Sequence, residues 1–438
     1  MLENLFYARM QMAFTLGFHI VFACLGVGLP VLLLFAEWRF LRTQDELWRT
    51  LARRWSKAFA VLFAVGAVSG TVLSFELGLL WPEFMGRFGA VIGLPFTLEG
   101  FAFFIEAIFA GIYLYGWDKL SPRVHWLSGF PIAVAGFASA WFVVTANAWM
   151  NVPQGFRLED GQVVEADPIA AMLNPATAMQ TTHMIVAAYM VTGFLVAAFY
   201  AALRLRGDNS LYNRRAMSLG LWLGVFFTPV QFVVGDWAAH VVAQSQPIKL
   251  AAMEGQFETV RGAPLRIGGI PNESTGQTHY AIEIPRLLSW LAYGDLEAEV
   301  KGLNSFPKEN RPPVLVVHLA FQAMVGAGTL LLALSAWTVG VWLRHRRLPS
   351  GRPFLISLIV SGPLVVLALE AGWVVTEVGR QPWIVQGVMR TKEAVTRAPG
   401  IGGIFAVTMA IYVILALGTI AVLQLLARVP VEAETDGA

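Results

Sequence analysis

Charge is scarce in this sequence: 14% of its 438 residues are Asp, Glu, Lys or Arg, against about 25% in a typical soluble domain. That scarcity excludes an ordinary soluble enzyme. Cysteine is almost absent, with Cys24 alone, so neither an intrachain disulfide nor a cysteine metal cluster can form. Any metal must be held by His, Met or carboxylate. No strong basic excess exists either; the formal net charge is +2, and the basic residues lie in short clusters between apolar runs. No face reads as a nucleic-acid footprint. No internal repeat is evident, which disfavours an inverted-repeat transporter.

What the sequence has instead is apolar length, with 56% hydrophobic residues. A membrane-spanning helix needs about 20 mostly apolar residues. Nine segments qualify: Met12–Ala36, Ala58–Leu80, Ala90–Gly116, Val124–Ala148, Ala178–Leu203, Met217–Ala243, Val314–Leu343, Pro353–Thr376 and Ile401–Ala427. Barrel strands would be shorter and alternating, so the fold class expected is an all-α membrane protein with nine transmembrane helices. The first run exceeds the roughly 7–15 residues of a signal-peptide core and lacks a basic lead-in, so it stays as a span.

Orientation follows from basic residues in short loops. The loop after span 1 carries Arg39, Arg42, Arg49, Arg53, Arg54 and Lys57, and the loops after spans 3, 5 and 7 carry Lys119 and Arg123, Arg204 to Arg215, and Arg344 to Arg352. These are expected to be cytoplasmic. The N-terminus and the loops after spans 2 and 4 then lie outside, and the acidic tail from Glu432 inside. The expected organisation is helices 1–6 over 1–243, an extracytoplasmic loop over 244–313, helices 7–9 over 314–427 and a cytoplasmic tail over 428–438. A loop of about 70 residues rich in Ile, Leu, Tyr and Trp argues for a small folded cap.

Ionisable groups inside spans are costly and point to function. They are His19, Glu76, Glu99, Glu106, His183, Asp236, His240, His318, Glu370 and Glu377. Glu99 and Glu106 are seven apart, which returns them to one helix face roughly 10 Å apart along the axis. Stacked carboxyls can relay protons; the plain structural alternative is that each is neutral and bonded to a neighbouring helix. Glu370 and Glu377 repeat the spacing. A lone membrane histidine more often bonds another helix than ligates metal, yet His19, His183, His318 and Glu377 all fall towards the outer ends of their spans. That common depth suggests a cofactor layer near the outer surface.

Span 8 ends in Gly372-Trp373-Val374-Val375-Thr376-Glu377-Val378-Gly379-Arg380-Gln381-Pro382-Trp383, which resembles the GWxxxExGRQPW signature of cytochrome bd oxidase subunit I. Other motifs follow in order: His19, Leu98-Glu99-Gly100-Phe101 to Glu106, Ala146-Asn147-Ala148-Trp149-Met150, Thr182-His183-Met184, Lys249-Leu250-Ala251-Ala252-Met253-Glu254 and Met324-Val325-Gly326. The resemblance covers essentially the whole chain and implies the nine-helix fold of that subunit, in a multi-pass protein of the prokaryotic cytoplasmic membrane. It implies His183 and Met324 as axial ligands of a low-spin haem b. His19 and Glu377 match the ligands of two high-spin haems, one haem b and one haem d or a further haem b. Trp373, Arg380, Gln381 and Asn147 would line or hold those groups. Lys249 and Glu254 match quinol-contacting positions, and five residues apart they are expected to share one face of a short helix.

The implied activity is quinol:oxygen oxidoreduction. Ubiquinol or menaquinol is oxidised at the outer face, electrons pass from the low-spin haem b to the high-spin haems, and O2 is reduced to water without a moving pump. Glu99, Glu106 and Ser139 would bring protons from the cytoplasm. The implied partners are a second oxidase subunit, as a membrane heterodimer, and small single-span subunits. Two departures stand out. Gln322 occupies a position where some relatives carry Arg, and the 244–313 loop is of the short type, which includes cyanide-insensitive oxidases without haem d. A cation transporter and an electron-transferring haem anchor without oxygen chemistry are the rival readings. A reduced-minus-oxidised spectrum separates the first, and quinol-driven oxygen uptake the second.

Overall fold

The computed structural model describes residues 2–428; of the tail expected over 428–438, Arg428 ends the last helix and the rest lies outside the described residues. Long apolar runs dominate, and in a bilayer the backbone must satisfy its own hydrogen bonds, so they form helices. Nine described helices are long and apolar enough to cross a membrane: α1 (Leu2–Thr43), α2 (Glu46–Leu80), α3 (Pro82–Tyr115), α4 (Pro122–Asn151), α6 (Thr177–Leu205), α7 (Leu211–Ser245), α10 (Val314–His345), α11 (Arg352–Val378) and α13 (Ile401–Arg428). Short helices α5 (Pro168–Met172), α8 (Pro247–Met253), α9 (Leu287–Tyr293) and α12 (Thr391–Ala394) lie between them.

Every expected span falls inside one of these helices except at Gly116, which caps α3 one residue beyond its end, and the helix ends differ. The loop expected between the second and third spans is a single residue, Trp81, because Pro82 opens α3 at a position where its missing N–H costs nothing. Asp45 starts α2 by accepting from the Leu47 N–H at 3.1 Å, the N-cap bond that satisfies an otherwise orphaned donor.

The bundle is centred on α6, which is 72% buried over its most apolar window, whereas α13 is 11% buried. Small residues explain the close packing of α6 on α7: a Cβ on Gly193 would run into the Gly224 backbone, the small-residue contact by which membrane helices approach. Around it, Phe194, Leu221, Leu331, Leu358, Leu32 and Leu51 form one buried core spanning six helices. The outward faces of α2, α3 and α13 carry exposed Phe75, Phe104, Ile108 and Ile414, which suits a hydrocarbon surrounding.

At one end of the bundle, residues 244–313 fold over the helix ends. Three short antiparallel ladders build them: β3 (Val260–Arg261) with β8 (Glu299–Val300), β4 (Leu265–Ile267) with β7 (Ile282–Ile284), and β5 (Ile270–Asn272) with β6 (Gln277–His279). Phe257 and Leu303 pack on Val314, Val317 and Val375, fixing the segment to α10 and α11. Gln246 donates to the Asn151 carbonyl at 2.8 Å, and Asn4 donates to the Thr396 carbonyl at 3.1 Å. The ends of α1, α4, α7, α10 and α11 therefore meet here. A hairpin of β1 (Phe156–Glu159) and β2 (Gln162–Ala166), and β9 (Trp383–Val385) with β10 (Met389–Arg390), complete the region. At the opposite end, ion pairs Arg53–Asp118 at 2.7 Å and Arg215–Asp45 at 2.6 Å join the basic connections.

Candidate functional site

His183 enters from α6 and borders α7, while Met324 enters from α10 and borders α11. Gln231 of α7 lies 3.0 Å from His183 Nε2 through its side-chain nitrogen, while Nδ1 is buried without a partner. A neutral ring nitrogen held by one hydrogen bond is a ready metal ligand. Glycines keep bulk away from both side chains. A Cβ on Gly372 would lie 3.0 Å from Met324 Sδ, and one on Gly235 would lie 3.9 Å from His183 Cε1.

Glu377 closes the last turn of α11. Asn147 of α4 and Arg380 both donate to its carboxylate. Trp373 precedes it by about one turn on the same helix. Gln381 turns away into the following loop, accepting from Thr391 Oγ1 at 2.9 Å. Arg380 is 2% exposed, yet its Nε and Nη1 have no partner. Two buried guanidinium donors pointing at nothing are expensive, and a carboxylate is their natural partner.

Lys249 of α8 joins this same cluster. Its Nζ donates to Asn151 Oδ1 at 2.6 Å and to the Thr376 carbonyl at 3.4 Å, and Asn151 in turn donates to Asn147 Oδ1 at 3.0 Å. Burial, followed by the Arg380 charge and against the pull of Glu377, lowers the Lys249 ammonium pKa to about 7. Glu254 points elsewhere. Its carboxylate meets the backbone and charge of Arg266, one oxygen is buried without a partner, and burial outweighs Arg266 to raise its pKa to about 8. The shared face expected of Lys249 and Glu254 is thus not observed. Five positions turn a helix by roughly 500°, leaving the two side chains about 140° apart.

His19 of α1 lies with Nδ1 2.9 Å from Ser69 Oγ, and a Cβ on neighbouring Gly70 would sit 3.1 Å from its Cε1. Glu106 is buried against α4, where a Cβ on Gly136 would lie 3.3 Å from its Oε1. Ser139 follows Gly136 by nearly one turn of α4, and Glu99 is only partly buried.

Other membrane-depth candidates separate from the cluster. His318 is fully buried, with Nδ1 2.8 Å from the Met253 carbonyl and Nε2 3.1 Å from the Gly268 carbonyl. Both nitrogens are used by backbone, so it ties the 244–313 segment to α10 and leaves the ligand layer. Glu76 accepts from Gln11 and Thr15, each at 2.9 Å. Asp236 and His240 pair at 3.7 Å on an open face of α7. Glu370 faces Gly17 of α1.

One polar cluster escaped sequence reading. Glu37 of α1 receives Tyr113 OH at 2.7 Å and pairs with His125 Nδ1 at 2.7 Å, while His125 Nε2 meets the Tyr113 carbonyl at 2.8 Å. Glu37 follows the last residue of the first expected span and His125 is the second residue of the fourth, edge positions where polarity draws no notice; only the tertiary fold brings them together.

Among the described residues no three His, Cys, Asp or Glu side chains form a metal-ion cluster. Single ligand candidates from separate helices, with a glycine beside His19, His183 and Met324 and an unpaired buried Arg beside Glu377, fit haem iron and its propionates instead. The comparisons agree with that chemistry. The model of the cytochrome bd terminal oxidase subunit I family matches residues 7–430. A Bacillus subtilis (strain 168) protein with the provisional name cytochrome bd menaquinol oxidase subunit I is 39% identical, over 96% of both chains. The cytochrome bd-II ubiquinol oxidase subunit 1 of Escherichia coli (strain K12) is 28% identical over 88% of each. The bd oxidase structure from Geobacillus thermodenitrificans superposes with a TM-score of 0.90 at 38% identity, covering 97% of this chain and 98% of that one. Fold, site chemistry and sequence together place this chain in the cytochrome bd terminal oxidase subunit I family, whose members are subunits of terminal respiratory oxidases of the bacterial inner membrane.

Proposed function

We propose that this chain is the haem-bearing subunit of a quinol:oxygen oxidoreductase, working beside a second membrane subunit, with small single-span subunits as further partners. The 244–313 segment and the N-terminus face outward and the basic connections face the cytoplasm, as the distribution of Arg and Lys requires. The relatives' names specify menaquinol and ubiquinol, and either is the substrate class proposed here.

His183 and Met324 would hold a low-spin haem b, and His19 and Glu377 would hold two high-spin haems, one b and the other d or b. When bound, these groups supply one-electron transfer from quinol and the reduction of O2. Arg380 would take a propionate on its unpaired Nε and Nη1, while its Nη2 orients Glu377. Asn147, Asn151 and Lys249 hold that carboxylate's surroundings in place. Glu254, with its unpartnered buried oxygen, would accept a quinol hydroxyl proton at the outer face. Glu99, Glu106 and Ser139 line the route by which protons would enter from the cytoplasm, so charge separates across the bilayer without a pump.

The observation that carries this reading is Arg380: buried, beside a carboxylate ligand candidate, with two donors that the protein leaves unpaired. The test is purification of the complex, pyridine haemochrome analysis and oxygen uptake driven by ubiquinol-1 or menadiol. The reading expects several haems per chain and rapid quinol-dependent uptake. Haem without uptake would leave an electron-transfer anchor, and no haem would overturn the proposal.

A further inference from the structure

The surroundings of Glu254 contain a charge arrangement that the quinol reading does not use. Arg266, on β4, hydrogen-bonds the Glu254 carboxylate through its backbone and places its guanidinium charge nearby. That guanidinium donates through Nη1 to Gln256, which is 1% exposed, and through Nε to Glu283 Oε1 of β7 at 2.9 Å. The Arg266 side chain is 14% exposed and that of Glu283 is 50% exposed. One residue thus hydrogen-bonds a buried carboxylate through its backbone and a solvent-facing one through its guanidinium, whose charge acts on both.

The scaffold around Arg266 is rigid. Gln322 of α10 donates to the Arg266 carbonyl at 3.0 Å and accepts from the Gly268 N–H at 2.9 Å. Its side-chain amide therefore extends the strand like a neighbouring peptide. Thr278 of β6 adds a bond to the Gly255 carbonyl at 2.7 Å. The other titratable group facing this corner is His318 of α10, both of whose ring nitrogens are taken by carbonyls. Lys249, on Glu254's own helix, turns the other way to Asn151.

We propose that Arg266 is the positioning residue of Glu254, sharing its charge between that buried proton acceptor and Glu283, the group through which the accepted proton leaves for the outer solvent. The inference rests on the reading that Glu254 accepts quinol protons. Oxidation of a quinol to the quinone removes two electrons, which the oxidase delivers to oxygen, and two hydroxyl protons. The Glu254 carboxylate takes a proton, becomes neutral and must lose it outward before accepting the next. A fixed cation beside it favours the ionised, accepting form. Glu283 weakens that effect by drawing on the same cation and adding a like charge.

Opposite changes therefore follow from the two partners. Quinol oxidation falls as pH drops through the Glu254 pKa, because the protonated acid cannot accept. Arg266→Gln removes the cation and should move that limb of the kcat–pH profile upward by about one unit, slowing turnover at pH 7. Glu283→Gln should move the same limb downward by a smaller amount, since Glu283 is half exposed, and should speed turnover at low pH. Arg266→Lys keeps a cation and should restore the limb most of the way.

The test measures ubiquinol-1 and menadiol oxidation from pH 5.5 to 9 by the purified complex, with haem spectra confirming assembly. Glu254→Gln is the reference variant and should abolish the limb. Survival of the limb in Glu254→Gln would overturn the proton-acceptor reading itself. If Glu254→Gln abolishes it while Arg266→Gln and Glu283→Gln leave it in place, or move it in the same direction, the role of Arg266 is overturned alone. Should Arg266→Gln lose its haems, Glu283→Gln and Arg266→Lys carry the decision. A purely structural Arg266 would lower kcat without moving either limb.

Discussion

Replacing His125 by Ala should destabilise the bundle more than any other single polar change at its basic end. The ring bonds Glu37 at 2.7 Å and the Tyr113 carbonyl at 2.8 Å, and it packs at a tilt against both Tyr113 and Trp117 with centroids 4.4 and 4.1 Å away. Both Glu37 and His125 side chains are 2% exposed. Removing the ring leaves Glu37 buried with Tyr113 OH as its partner and opens a cavity beside the Tyr113 and Trp117 rings. Breaking such a pair costs about 3–5 kcal/mol. Glu37→Gln keeps an acceptor for Tyr113 and the volume, so it should cost about 1–3 kcal/mol. The assay is the half-life of quinol oxidase activity in detergent at fixed temperature, since large membrane proteins inactivate irreversibly. His125→Ala should shorten it at least tenfold with initial haem content intact. The double variant should cost less than the sum of the single ones, because contacting residues couple by roughly 0.5–3 kcal/mol. Wild-type half-lives in both single variants, or strict additivity, would refute the claim that this cluster locks α1, α3 and α4.

Glu106→Gln preserves shape and hydrogen bonding but removes the titrating proton, so the relay reading expects normal haem content, normal haem reduction by quinol and slow oxygen turnover; near-normal turnover would mark Glu106 as structural. Lys249→Ala should lose high-spin haem or alter its spectrum, because Lys249 bonds Asn151 and the Thr376 carbonyl beside Glu377, whereas Glu254→Gln should slow quinol oxidation with spectra unchanged; identical phenotypes would contradict their divergent directions. Gly372→Val should diminish the low-spin signal more than Gly372→Ala, since even a Cβ there comes within 3.0 Å of Met324 Sδ, and optical spectra of the two variants decide it.

The spans were legible because hydropathy over about 20 residues is a strong, local signal. Helix ends were not. Leu80 and Pro82 flank a single residue, and the polar first turns of α3 continue the helix outside the apolar window. Membrane-depth polarity singled out His19, His183, Glu106 and Glu377 as candidates, and with them His318, whose two carbonyl partners come from α8 and the turn after β4. No sequence window contains those partners. Lys249 and Glu254 show the same limit from the other side: proximity in sequence placed them together, and helix geometry sends one to Asn151 and the other to Arg266. Glu37, His125 and Tyr113 lie on three helices and have no common sequence signature. Met324, one of 14 methionines, is visible through family resemblance alone, since Met is mostly core filler.

The most direct test of the account compares reduced-minus-oxidised spectra of His183→Ala and Met324→Leu with those of the unaltered complex. Each side chain is assigned one axial position on the low-spin haem, and Gln231, the hydrogen-bond neighbour of His183, is a poor iron ligand. Both variants should therefore lose the low-spin haem b signal while retaining some high-spin haem held by His19 and Glu377. A normal low-spin spectrum in both would contradict the assignment.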